Sequence, residues 1–463
     1  MSDRFEATYL IETPHDVASV AQELAGEQST ATSSRMPGET DALIRDFGAR
    51  VEHIEALPPA EAPSLPVAHT PGQRVHRARL TLSWPLHNIG DSLPMLLTTL
   101  LGNQTGMRRL SGIRLERVAM PQSFIAAQPR PAFGIAGTRR LTGVQGRPLI
   151  GSIVKPNIGL APEQTAAMAR QLAEGGVDFI KDDELLANPP YSPVARRATL
   201  VLRALDEAAQ RTGRRTMYAV NITDGLDEMR RHHDAVVQAG GTCIMVNLNS
   251  VGLSALLALR RHSQLPIHGH RAGWAMMTRC PALGMEFQPY QMLHRLAGVD
   301  HLHVSGLGGK FWEHADSVLQ AAHECLTPLD TQAGAADDRA LPVFSGGSTI
   351  FDVAPTYQGI GTADLIFASG GGIFGHPDGL AAGCASLRQA WEAAIAGQGL
   401  VLASSAMVSD SEARGLLACF RPDISVPGLR YTALSAPGRQ RHPPVRAFLD
   451  WLAGEFETAA ARG

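Results

Sequence analysis

Cysteine is scarce and unpatterned in this chain. The five cysteines, Cys243, Cys280, Cys325, Cys384 and Cys419, are an odd number, widely spread, with no CxxC spacing. That argues against a disulfide framework or a thiolate metal site and for reduced thiols. An excess of either charge is also missing. The 41 Lys and Arg against 44 Asp and Glu leave a net −3, which supplies no general footprint for nucleic acid or an anionic membrane. No run of about 18 uninterrupted apolar residues occurs, and the opening MSDRFEATYLIETP has no basic stretch followed by an apolar one. Neither a membrane span nor a secretory signal is expected. The class left is a cytoplasmic protein with a small-molecule partner.

What is present is ample for a large core. At 463 residues with 44% hydrophobic and 18% charged residues, the chain reads as globular and long enough for two domains. Residues 1–140 read as an α+β domain: RFEATYLIE alternates like a strand, HDVASVAQELAG has helical character and VHRARLTLSWP returns to strand. The Ser/Thr-rich run 27–40 and the Pro-rich run 57–66 are expected to be loops. From about residue 149 short apolar runs alternate with helix-length segments. Candidate strands lie at 149–156, 178–183, 217–223, 242–248, 266–271, 301–306, 341–347 and 364–371. Eight such units in about 250 residues predict a (β/α)8 TIM barrel over 141–430. Helical cover is expected from about residue 397, with a tail or helix over 431–463.

In such a barrel, chemistry gathers where strands end, on the C-terminal face. Here strand after strand ends in polar residues: Lys155; Lys181, Asp182, Asp183 and Glu184; His268, His270 and Arg271; His303 and Ser305; Ser345. The KDDE run is the densest of these signals. Hard cations take oxygen ligands, and Mg2+ takes one or two carboxylates plus water or substrate oxygens. Alternation along an extended segment points Lys181 and Asp183 one way and Asp182 the other. As an ammonium Lys181 balances the acids; as a CO2 carbamate it is a third anionic ligand. The glycine clusters SGGST (345–349) and SGGGIFGHP (369–377) follow the seventh and eighth strands, where barrel enzymes commonly bind phosphate on backbone N–H groups. SGLGGKFWE (305–313) follows the sixth strand and carries Lys310, and such a loop can close over substrate.

The order GSIVKPNIGL, GGVDFIKDDE, HGHRAG, HLHVSGLGGK, FSGG and SGGGIFGHP, together with AGEQSTATS and LLGNQTG near the N-terminus, resembles the RuBisCO large-chain superfamily across nearly the whole sequence. The resemblance implies Mg2+ held by carbamylated Lys181, Asp183 and Glu184. It implies acid/base chemistry by Lys155, a catalytic His270 and a mobile-loop Lys310. Substrate phosphate contacts fall to Arg271, His303 and Ser345 at one end and to Gly347, Gly370 and Gly371 at the other. Glu27, Thr32 and Asn103 would reach a neighbouring subunit's site, so a homodimer or higher homo-oligomer is expected. Departures stand at Asn157, in place of a second lysine, and at Ile153, Ser33 and Trp274, in place of threonine, tryptophan and histidine. They point to a RuBisCO-like protein rather than a carboxylase.

The reaction so implied is Mg2+-assisted C–C cleavage of a phosphorylated 3-oxo sugar acid, by decarboxylation or hydrolysis, of the 3-oxo-isoapionate 4-phosphate type. The runner-up is a 2,3-diketo-5-methylthiopentyl-1-phosphate enolase or methylthio-sugar-phosphate isomerase. Two readings of other classes are a metal-free Schiff-base aldolase using Lys155 or Lys310, and a non-catalytic regulatory or scaffold protein.

Overall fold

The structure, a computed structural model, describes residues 3–31, 36–68 and 72–397, and the backbone of three short strands beyond them. The first domain is built on a sheet. β1 (Arg4–Thr13), β2 (Arg50–Ala60), β3 (Val75–Pro85) and β4 (Gly112–Ala119) form its antiparallel part. β1 alternates as its sequence predicts: Phe5, Ala7, Tyr9 and Ile11 are buried. They form one core with Val20, Ala21 and Leu24 of the helix Val17–Glu27 and with Leu93, Leu96 and Leu100 of the helix Leu93–Leu101. One expectation fails here. The Pro-rich run is partly strand, because β2 extends through Pro58 and Pro59 to Ala60. It lies at the sheet edge with a register break between Leu57 and Ala60, where missing N–H groups cost no ladder bonds. The other edge is a strand that the sequence reading missed, Leu283–Met285, which pairs parallel to β4 and ties the two domains together.

The second unit is a closed barrel of eight parallel strands with helices around it. In chain order its strands are β5 (Leu149–Ile153), β6 (Phe179–Lys181), β7 (Met217–Asn221), β8 (Cys243–Asn247) and β9 (Ile267–His270). After the edge strand β10 (Leu283–Met285) come β11 (His301–Ser305), β12 (Leu341–Ser345) and β13 (Ile366–Ala368). The eight expected strands are all there, each shorter than its apolar run, so several expected strand-end residues sit on the loops just beyond. Both faces of these strands are buried, which explains why they read as continuous apolar runs. Leu149, Phe179, Met217, Ala219, Met245, Val343 and Ile366 form a cluster inside the barrel. Ile150, Ile180, Tyr218, Val220, Ile244 and Val246 join the larger core under the helices.

Beyond residue 397 the described segments are strands, β14 (Val401–Ser404), β15 (Ala418–Cys419) and β16 (Tyr431–Ser435), in an antiparallel sheet. This corrects the expectation of helical cover there; the rest of the expected tail lies outside the described residues. Among the described residues no helix is long and apolar enough to cross a membrane.

Candidate active site

The site begins where β5 and β6 end. Lys155 lies two residues past β5, and its Nζ donates to Asp183 Oδ2 at 2.8 Å and to Asn157 Oδ1 at 2.6 Å. Lys181, the last residue of β6, is only 2% exposed. Its Nζ donates to the Asp182 carbonyl at 3.0 Å and lies 3.5 Å from Glu184 Oε2. Burial holds the Lys181 ammonium below its ordinary pKa, although Glu184 and Asp183 pull the other way. Asp182 turns outward as the alternation predicts. Fully buried, it pairs with Arg197 at 3.1 Å and accepts from the Tyr218 hydroxyl at 2.5 Å. Its role is to anchor β6 to the helix Val194–Thr212.

Two residues that the sequence reading passed over position this turn. Asn221 ends β7 and donates from Nδ2 to the Asp183 and Glu184 carbonyls at 3.1 and 3.3 Å. Asn247 ends β8 and donates to the Glu184 carbonyl at 2.9 Å, leaving its Oδ1 buried without a partner among the described residues. Both satisfy the rule of a polar residue closing an apolar strand, so the signal was present.

β9, β11 and β12 supply histidines and a serine. His270 Nε2 is 3.5 Å from Glu184 Oε2, and its ring centroid is 4.4 Å from that of His303. His303 Nδ1 meets Ser345 Oγ at 2.9 Å, while its Nε2 meets His268 Nε2 at 2.7 Å. Burial, reinforced by nearby Lys181, keeps His270 and His303 well below the ordinary imidazole pKa. Both are therefore neutral near pH 7. The buried Nδ1 of His270 has no partner among the described residues.

Arg271 follows β9 and is buried, but its guanidinium is already engaged. Glu313, which no sequence signal singled out, accepts from Arg271 Nη1 and Nη2 at 3.0 and 2.8 Å, from Ser305 Oγ at 2.5 Å and from Trp274 Nε1 at 3.3 Å. A cavity of about 370 Å³ runs from Glu184 and His270 to Trp274, Phe311, Trp312 and Glu313. Lys310, three residues before Glu313, is exposed, with Nζ 5.2 Å from the Phe311 ring centroid. Its backbone N–H donates to the Gly346 carbonyl at 2.8 Å. That approach needs glycine: Gly346 and Gly347 have φ of +104° and +107°, and a Cβ on Gly347 would stand 3.2 Å from the Lys310 nitrogen. Gly370 faces Lys155, a Cβ there meeting Lys155 Cε at 3.7 Å, whereas one on Gly371 would meet nothing within 4 Å among the described residues.

Glu27 and Asn103 lie together in the first domain, Asn103 Nδ2 donating to Glu27 Oε1 at 3.2 Å. Thr32 and Ser33 lie outside the described residues. Away from the barrel mouth, His233 Nδ1 and His262 Nε2 lie 2.9 and 2.7 Å from Asp234 Oδ1. Because the Gln264 N–H donates to His233 Nε2 at 3.1 Å, the His233 proton is on Nδ1, and that atom has no lone pair for a metal.

The sequence matches two family models in succession, the ribulose bisphosphate carboxylase large chain N-terminal domain over 7–124 and its catalytic domain over 134–414. This chain belongs to the RuBisCO large-chain family. Among its relatives, a ribulose bisphosphate carboxylase-like protein of Bordetella bronchiseptica is 99% identical over 86% of this chain and 95% of that protein. The 3-oxo-isoapionate-4-phosphate transcarboxylase/hydrolase of Xanthobacter autotrophicus is 52% identical over 86% of this chain and 96% of that protein. The 3-oxo-isoapionate-4-phosphate decarboxylase of Rhizobium etli is 43% identical over 84% and 93%. Among solved structures, the RuBisCO-like protein of Burkholderia fungorum superposes with a TM-score of 0.81 at 47% identity, covering 89% of this chain and 98% of that one. The dimeric archaeal RuBisCO of Hyperthermus butylicus gives a TM-score of 0.74 at 29% identity, over 85% and 91%. The eight-stranded barrel and separate mixed-sheet domain described above are the RuBisCO fold.

Proposed function

We propose that this RuBisCO-like chain is a Mg2+-dependent lyase or C–C hydrolase acting on a phosphorylated 3-oxo sugar acid of the 3-oxo-isoapionate 4-phosphate class. The observation that carries this reading is the convergence of Lys155, Lys181, Asp183, Glu184 and His270 at the barrel mouth, joined to relatives at 52% and 43% identity named for that substrate.

The residues fit the metal. Ammonium groups stand on both carboxylates, Lys155 on Asp183 at 2.8 Å and Lys181 on Glu184 at 3.5 Å, so this is a place where buried negative charge calls for a cation. A lysine whose ammonium is disfavoured by burial is also the one whose neutral amine reacts with CO2 to give a carbamate. Lys181 as carbamate, Asp183 and Glu184 would hold the ion. When bound, Mg2+ supplies stabilisation of negative charge on substrate oxygens.

The chain's own side chains do the rest. In decarboxylation the bond between the carboxylate carbon and its neighbour breaks, CO2 leaves, and the electron pair moves onto the adjacent ketone to form an enolate. Lys155 then returns a proton at carbon. Lys310, carried on the loop after β11, is suited to meet the departing or transferred carboxylate. Gly347, Gly370 and Gly371 offer backbone to the phosphate, and neutral His270 is placed to hold or move a proton beside Glu184.

The active unit is proposed to be a homodimer. Ile158, Leu185 and Phe311, on loops, and Phe351, in the short 3-10 helix Ile350–Asp352, are 54%, 67%, 53% and 83% exposed, an apolar rim suited to cover by a second copy. Glu27, Thr32 and Asn103 would come from that copy. A cytoplasmic location is proposed as well, in accord with Cys243, Cys280, Cys325 and Cys384 being free thiols.

The aromatic wall of Trp274, Phe311 and Trp312 favours one second reading, enolisation of a methylthio diketone phosphate. NMR in D2O with Mg2+ and bicarbonate, offering 3-oxo-isoapionate 4-phosphate and 2,3-diketo-5-methylthiopentyl-1-phosphate, separates the two. Cleavage of the first supports the proposal, its products distinguishing decarboxylation from hydrolysis. Turnover of the second alone replaces it.

A further inference from the structure

The ion pair at the far end of the cavity bears on which substrates can enter. Arg271 is the residue expected to receive a substrate phosphate, yet both of its terminal nitrogens point at the Glu313 carboxylate, at 3.0 and 2.8 Å. The pair is enclosed, with side-chain exposures of 8% and 12%. Ser305 Oγ donates to the same carboxylate at 2.5 Å while accepting from Arg271 Nη2 at 3.0 Å. Trp274 Nε1 adds a fourth donor at 3.3 Å. Arg271, the Ser305 hydroxyl and the Trp274 indole N–H therefore all face a carboxylate that belongs to the chain itself, held in the fork geometry that guanidinium offers a phosphate. The indole of Trp274 and the ring of Phe287 flank the guanidinium, their centroids 5.8 and 5.5 Å from its carbon. The other candidates there, His303 and Ser345, are bonded to each other at 2.9 Å and carry no charge. An incoming dianion would find one positive charge already neutralised, and would have to expel Glu313 or sit beside it.

Resting on the sugar-phosphate reading above, we propose that Glu313 is a specificity-determining residue. Its carboxylate fills the anion pocket of Arg271, Ser305 and Trp274, so the site takes substrates with a single phosphate, seated at the glycine end, and discriminates against bisphosphates. The uncharged part of the substrate then faces Trp274 and Trp312. Excluding a ligand by an unfavourable charge placed in its path is as effective as a favourable contact to the right one.

The test uses the full-length protein with Mg2+ and bicarbonate, and two probes that differ by one phosphate, ribulose 5-phosphate and ribulose 1,5-bisphosphate. Calorimetric Kd values are compared for wild type, Glu313→Gln, which keeps the shape, and Glu313→Ala, which opens the pocket. Thermal unfolding establishes that each variant is folded. The wild type is expected to bind the bisphosphate no more tightly than the monophosphate. Both variants should shift the Kd ratio toward the bisphosphate by about tenfold or more, the size expected when one close charge contact changes sign. Adding Arg271→Met to Glu313→Ala should abolish the gain. A wild type that prefers the bisphosphate tenfold, or a ratio unmoved in folded Glu313→Ala and Glu313→Gln, overturns the inference and leaves the sugar-phosphate reading standing. If neither probe binds wild type or variant, this inference falls, while the sugar-phosphate reading is decided separately by cleavage of 3-oxo-isoapionate 4-phosphate.

Discussion

Three consecutive charged residues, Lys181, Asp182 and Asp183, serve two different ends because the middle one points away from its neighbours. Lys181 and Asp183 face the mouth, where Lys155 lies 2.8 Å from Asp183. Replacing Lys155 by Met should lower kcat by about 10²- to 10⁴-fold, the usual worth of a placed proton-transfer group. Asp182 is structural. Its pair with Arg197 has both side chains fully buried, so Arg197→Met strands a buried carboxylate and should cost about 3 to 5 kcal/mol in urea unfolding. A third buried group sets a pH limit. His294 donates from Nδ1 to the Tyr290 carbonyl at 2.8 Å, and burial pushes its pKa down to about 4 from 6.5. The unfolded chain takes up that proton as pH falls through about 6.5, while the folded chain resists until about 4. The His294 contribution to stability is thus complete above pH 6.5 and is lost as pH falls through the window below, by up to about 3 kcal/mol. Tm measured from pH 7 to 4 should drop less steeply for His294→Gln than for wild type.

At the scale of elements, the strand ends do the positioning. Asn221 and Asn247 clamp the backbone of the Asp183–Glu184 turn from the two next strands. Residues that hold metal ligands in place typically carry 10- to 100-fold in metal affinity. Asn247→Ala is therefore expected to raise the Mg2+ concentration for half-maximal activity by about tenfold or more, with kcat at saturating Mg2+ affected less. Equal loss at all Mg2+ concentrations would assign Asn247 to the chemistry instead. The barrel was legible in the sequence because parallel strands buried on both faces leave apolar runs that close in polar residues. What escaped has physical reasons too. β2 was hidden by Pro58 and Pro59, tolerable only because β2 lies at an edge, which no local pattern reveals. β10 has three residues and exists through its pairing to β4. Glu313 meets Arg271 only because the loop after β11 folds back over the mouth, a contact across 42 residues. Asn221 and Asn247 were in plain view, but uncharged amides drew less notice than lysines and acids.

On the scale of the whole molecule, the mouth is unfinished. Exposed apolar side chains ring it, while Glu27 and Asn103 hold each other at 3.2 Å in a domain whose own barrel they do not contact through that bond. A two-fold dimer satisfies both conditions at once, because each copy would offer its first domain to the other's mouth. The consequence is measurable without a structure of the assembly. Lys155→Met damages a barrel and Glu27→Gln damages the contribution to a neighbour's barrel, so each variant alone should be inactive. In a hybrid dimer one site combines the intact barrel of the Glu27→Gln subunit with the intact first domain of the Lys155→Met subunit. Random assortment makes half the dimers hybrids with one sound site in two, and co-expression should restore about a quarter of wild-type activity. Were Glu27 to act within its own chain, every site in the mixture would carry one defect, and activity would stay at the level of the separate variants.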